Sequence, residues 1–220
     1  MRPHLVESKL FHIPTDSVTL EALRGIPPSA DGMVVFAHGS GSSRHSPRNN
    51  EVARALQGAG IATLLLDLLT EREAASRVNV FDVAFLAKRL AAATDWVRGH
   101  PDTRALRVGY FGASTGAAAA LIAAARNVSI AAVVSRGGRP DLAGDALADV
   151  RAPTLLIVGG DDVPVIALNQ HAHARLRCEK ELVIVPGAGH LFEEPGTLAE
   201  VVRLAIDWYG RHLGTAPRRS

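Results

Sequence analysis

The sequence predicts an α/β fold, a mostly parallel central sheet covered by helices on both faces. Three observations predict it. Short apolar runs such as Met33–Ala37 and Ile61–Leu66 lack polar alternation, which marks strands buried on both faces. From Met33 onward such runs alternate with longer segments of helix composition, the pattern of repeated strand–helix–strand units. Finally, the apolar run Arg107–Phe111, the glycine-flanked turn Gly112-Ala-Ser-Thr-Gly116 and the Ala/Leu/Ile-rich stretch Ala117–Arg126 follow one another without a gap, as strand, turn and helix.

The elements read in order from there. Leu10–Ile13 and Ser17–Arg24 alternate apolar and polar residues across Pro14-Thr15-Asp16 and predict an opening hairpin. Gly25–Gly32 connects it to the Met33–Ala37 strand and the loop His38–Ser43. Ser46-Pro47 then opens a helix through about Gly58, proline being favoured in a first turn. The Ile61–Leu66 strand ends at Asp67. Leu68–Asn79 is polar and irregular, a candidate flap, and Val80–Arg98 is a long helix closed by Gly99-His100-Pro101. Beyond the serine turn come the strand Ile130–Ser135, the loop Arg136–Pro140 and a short helix around Asp141–Leu147. The strand Pro153–Val158 follows, then Gly159-Gly160-Asp161-Asp162 and a helix through about Leu176. Glu181–Val185 is the last strand, Pro186–His190 its loop, and Thr197–Leu213 the closing amphipathic helix. Residues 1–213 read as one domain and 214–220 as a flexible basic tail.

Bulk composition removes several function classes. A chain of 220 residues, 47% of them hydrophobic, can bury a full core. The formal charge is only +2 and aromatics are 5%, so no basic, stacking-rich surface for nucleic acid is expected. A single cysteine, Cys178, rules out an internal disulfide. No run approaches the ~18 apolar residues of a membrane span and no signal-like segment opens the chain, so a soluble cytoplasmic protein is expected. His171 and His173, two apart on a helix, face different directions, and no paired metal-ligand pattern exists; neither metal nor cofactor is expected.

The chemistry-bearing residues fall in loops at strand ends. In Gly-x-Ser-x-Gly the serine occupies a sharp strand-to-helix turn, and the glycines leave room for its strained backbone. Ser114 follows one strand, Asp161 and Asp162 another, and His190 a third. In a parallel sheet these loops share one rim, where ligands bind. A serine hydroxyl is a poor nucleophile at neutral pH, so a neutral imidazole must take its proton, and His190 is the candidate.

The chain order Ser, Asp, His and its placement at strand ends resemble the α/β hydrolases over about Leu10–Leu213. The run Phe36–Asn49, the compact size and the lack of any long insertion are most similar to bacterial dienelactone-hydrolase-like proteins. The resemblance implies an α/β-hydrolase fold without a large cap domain, acting on a small carboxylic ester, lactone or thioester through an acyl-enzyme. It departs in one place: the namesake enzymes use cysteine as nucleophile where this chain has Ser114. Of the two acids the resemblance selects Asp162, second after the Gly159-Gly160 pair, and leaves Asp161 as turn-former or cap. It implies oxyanion donors from the backbone N–H of Thr115 and of Ser40, with Gly41 as second choice, and a loop-shaping role for His38.

Arg44, His45 and Arg48 after the first parallel strand, with Arg136 and Arg139 after a later one, place positive charge near this rim. Arg44 and Arg136 are the candidates for holding a substrate carboxylate or phosphate, against the alternative that they pair with acidic neighbours. The expected partner is a small ester-type molecule, and the exposed hairpin edge is a possible homodimer contact. Two other functions use the same fold: a binding protein without turnover, and acyl transfer to an acceptor other than water.

Overall fold

The computed structural model describes residues 6–28 and 30–214; the expected basic tail lies outside them except for Gly214. Eight strands form one sheet: β1 (Lys9–Pro14), β2 (Thr19–Gly25), β3 (Gly32–Ala37), β4 (Ala62–Leu66), β5 (Arg107–Ala113), β6 (Ala132–Arg136), β7 (Thr154–Gly159) and β8 (Lys180–Val185). Their order is β1-β2-β4-β3-β5-β6-β7-β8. The hairpin β1–β2 joins antiparallel to β4, and every neighbouring pair from β4 to β8 is parallel. Order reverses around β3, because β3 lies between β4 and β5, and the loop after β3 therefore opens beside the loop after β5.

The helices are α1 (Pro47–Gly58), α2 (Glu71–Ala74), α3 (Arg77–Phe81), α4 (Val83–Gly99), α5 (Thr115–Ala125), α6 (Val163–Arg175) and α7 (Thr197–His212). Alternate residues of each central strand feed two cores. Met33, Val35 and Tyr110 pack with α4 and α5 on one face; Val34, Phe36 and Phe111 pack with α1 and α7 on the other. On the second face Phe36 and Phe111 meet at 4.9 Å between ring centres, worth about 0.5–1.5 kcal/mol beyond their burial. Tyr209 of α7 donates its buried hydroxyl to the Tyr110 carbonyl at 2.5 Å and so ties the closing helix to β5.

Three segments differ from the sequence expectation. The stretch read as a flap folds into α2 and α3. A reciprocal cap between Thr70 and Glu73 holds α2, whose Glu73 pairs at 2.6 Å with the buried Arg89 of α4. The long helix expected from Val80 begins at Val83, because the Asp82 carboxylate accepts the Phe85 N–H at 2.9 Å and starts a new helix there. The short helix expected near Asp141 is a 3-10 stretch, Pro140–Asp149, broken at Gly144 with φ +56°. Among the described residues no insertion of domain size interrupts the strand–helix alternation, and no helix is long and apolar enough to cross a membrane.

Candidate active site

Ser114 stands between β5 and α5 with φ +51° and ψ −124°, one of two non-glycine residues with positive φ among those described. Such a backbone costs on the order of 1–3 kcal/mol and persists only where its surroundings enforce it. The enforcement is visible in the flanking glycines. A Cβ on Gly116 would lie 2.1 Å from the Ala37 carbonyl oxygen, and one on Gly112 would lie 2.4 Å from Ala117 Cα. The turn is pressed against the end of β3, and only glycine allows that approach. The serine side chain opens into a cleft of about 490 Å³ that His190 and Arg136 also line.

The two other predicted partners meet at the same rim. His190 Nδ1–H donates to Asp162 Oδ2 at 2.6 Å, and Asp162 is well shielded from solvent. With Nδ1 protonated and held, the second ring nitrogen, Nε2, carries the free lone pair. Asp161 is exposed, and its backbone N–H bonds to the Ala188 carbonyl. The loop carrying His190 is also closely packed: a Cβ on Gly137 would meet the His190 carbonyl at 2.7 Å, and Phe192 adopts φ +56°. Asn169, buried on α6, donates to the Gly138 carbonyl at 3.1 Å and fixes the β6 loop beneath it. No sequence pattern marks Phe192 or Asn169 as part of the site, and the Gly137-Gly138 pair is the local signal for this loop.

The expected oxyanion donors lie next to each other. Thr115 is the first residue of α5, where a backbone N–H has no acceptor within the helix. The Ser40 N–H donates to the Thr115 hydroxyl at 3.1 Å, so the donor expected to be open is occupied by a side chain of its neighbour. His38 spans its loop as expected. Its Nδ1–H donates to the Gly39 carbonyl at 2.9 Å and its Nε2 accepts the Leu68 N–H at 3.1 Å, joining the ends of β3 and β4. Burial holds its pKa below the ordinary histidine value, and the Gly39 carbonyl and Asp67 act weakly the other way.

The arginines divide sharply. Arg44 is bound to Asp67 and, at 2.6 Å, to Glu21, and it lines a neighbouring hollow under α2 and α3 instead of the cleft with Ser114. Two carboxylates neutralise it. Arg139 makes a two-pronged pair with Asp141 at 2.8 and 2.9 Å. Arg48 pairs with Glu193 at 2.6 Å on the cleft wall. Arg136 is different: it is 6% exposed, lines the cleft and makes no ion pair among the described residues. No group of metal-binding side chains occurs among the described residues.

Known proteins share the fold and the family of this chain. A model of the dienelactone hydrolase family matches residues 20–208. A dienelactone hydrolase from Anabaena variabilis superposes with a TM-score of 0.92 at 54% identity, over 96% of this chain and all of that one. The esterase Est1E from Butyrivibrio proteoclasticus superposes at 0.78 over 92% and 98% of the two chains; at 16% identity it speaks for the fold alone. A Mycobacterium tuberculosis protein named "Putative phosphoribosyl transferase" is 62% identical over 189 residues, which are 86% of this chain and 43% of that protein. The chain therefore spans less than half the length of that relative.

Proposed function

The chain belongs to the dienelactone hydrolase family, and from that premise we propose that it is a serine hydrolase of small carboxylic esters, lactones or thioesters. One observation carries the reading. A serine on an enforced strained turn and a histidine oriented by a shielded carboxylate at 2.6 Å open on the same cleft.

Each residue then has a defined task. Ser114 Oγ attacks the acyl carbon while His190 Nε2 takes its proton, and the Asp162 carboxylate fixes the imidazole tautomer and stabilises the imidazolium. The oxygen of the tetrahedral intermediate takes the Thr115 N–H and the Ser40 N–H, displacing the Thr115 hydroxyl from the latter. His190 returns the proton to the leaving oxygen or sulfur. Water, deprotonated by His190, then releases the acid and restores Ser114. With no large cap among the described residues, small or extended acyl groups are favoured. The transferase name of the mycobacterial relative refers to a protein more than half of which lies beyond the matched region, and no step here draws on it.

The test is intact-protein mass after exposure to an uncharged fluorophosphonate. The native chain gains one adduct, Ser114→Ala gains none, and His190→Ala is labelled far more slowly. A folded native chain that stays unlabelled refutes the reading.

A further inference from the structure

Alternation along β6 sets up an anomaly. Ala132 and Val134 point into the core shared with α1 and α7, and period two puts Arg136 on that same face. A position patterned for an apolar side chain holds a guanidinium, 6% exposed, at the strand end beside Ser114. Its only side-chain hydrogen bond among the described residues is from Nη2 to Asn49 Oδ1 at 3.2 Å, and its Nε is buried with no acceptor. The Phe192 ring lies 5.9 Å away. Burial, and then the charge of Arg48, lower its pKa to about 10, which still leaves it charged at neutral pH.

A buried charge without a counter-charge is costly. The surroundings make the imbalance worse. The first turn of α1 lines the same cleft: Ser46 accepts the Asn49 N–H, the turn contains no acidic residue, and it is the positive end of the helix dipole. Arg48, in that turn, has its own charge balanced by Glu193. The wall beside Arg136 favours an anion, and no carboxylate among the described residues pairs with Arg136 itself.

We propose that Arg136, with Arg48, Asn49 and the first turn of α1, forms an anion subsite of the cleft that holds a carboxylate or phosphate group of the substrate. The proposal rests on the serine-hydrolase reading for the word substrate; binding of the anion does not depend on it. Arg136 is then a specificity-determining residue. Its planar fork meets two oxygens of the anion, with the desolvated cleft strengthening the attraction.

Two measurements test this, on the native chain, Arg136→Met and Arg136→Lys. The first is the thermal midpoint in inorganic phosphate or in glutarate against sodium chloride at equal ionic strength. One of the two anions raises the native midpoint, Arg136→Met loses the rise, and Arg136→Lys keeps part of it. The anion that acts tells phosphate from carboxylate. No rise with either, or an equal rise in Arg136→Met, overturns the subsite. The second is kcat/KM on 4-nitrophenyl acyl esters matched in length, ending in methyl, carboxylate or phosphate. The native preference for a charged ester is at least tenfold and falls towards one in Arg136→Met; a preference unchanged by the substitution overturns the specificity role. Should Arg136→Met fail to fold, Arg48→Ala takes its place, with a smaller expected loss of preference. Labelling of Ser114 by the uncharged fluorophosphonate separates the two ideas. An unlabelled native chain still stabilised by the anion through Arg136 sinks the hydrolase and keeps the subsite, whereas a labelled chain indifferent to anions does the reverse.

Discussion

Gly116→Ala puts the geometry of the serine turn to its hardest test. The added methyl would lie 2.1 Å from the Ala37 carbonyl oxygen and 2.5 Å from that of His38, where real Cβ contacts essentially never fall below 3.0 Å. The start of α5 and the end of β3 must therefore part by about 0.9 Å. Both obstacles are backbone, one of them in a central strand, so no rotamer change relieves them. Overpacking against yielding side chains costs roughly 1–3 kcal/mol, and the upper end, about 3 kcal/mol, is expected here. For a chain of this size that is a fall of roughly 6–12 °C in thermal midpoint. The shift also separates Thr115 from Ser40, the two expected oxyanion donors, and a displacement near 1 Å costs on the order of 100-fold in rate. Gly58→Ala is the internal control. It lies at the end of α1 with nothing within 4 Å of the new methyl, and is expected to stabilise by up to ~1 kcal/mol. Urea and thermal unfolding, with fluorophosphonate labelling, read both changes. If Gly116→Ala unfolds within 0.5 kcal/mol of the native chain and labels at the native rate, the turn is not held by this contact and the reasoning fails.

Asp162→Asn keeps the shape of the rim but not the charge that orients His190; kcat/KM on a short-chain ester should fall about 10³–10⁴-fold with the unfolding midpoint little changed, and a loss under tenfold would reassign the acid. The half-buried His38 is expected to give stability a pH slope. The fold keeps its pKa below the ordinary value of 6.5, so on acidification through that value the unfolded chain takes up the proton first. Its contribution is whole above pH 6.5 and declines below. The urea midpoint of the native chain should drop further between pH 7.5 and 5.5 than that of His38→Asn. His173 and His212, also held low mainly by burial, are present in both proteins and cancel in the difference. Equal slopes would remove His38 from the account.

Much of the fold was legible because its signals are local. Unalternating runs specify strands covered on both faces, and Gly-Ala-Ser-Thr-Gly specifies a turn that few other residues permit. Where the structure departs from the local pattern, the deciding interaction is a side chain reaching beyond it. The segment after Leu68 reads as irregular by composition, yet Glu73 closes a cap and pairs with Arg89, sixteen residues on, and α2 forms. Asp82 looked like part of a helix but serves as the cap of the next one.

By itself the sequence determined the covered parallel sheet, the serine turn and the strand-end placement of Ser114, Asp162 and His190, because each depends on residue type and spacing along the chain. It did not decide the fate of any charge. Arg44 and Arg136 stood as equal candidates in the sequence. Only the register of β6 against β5, and the place of α1 over that face, leave Arg136 in the cleft without a counter-ion, while Asp67 and Glu21 enclose Arg44. Charge pairing is set by distances of a few ångströms between segments far apart in sequence, and that information exists only once the chain has folded.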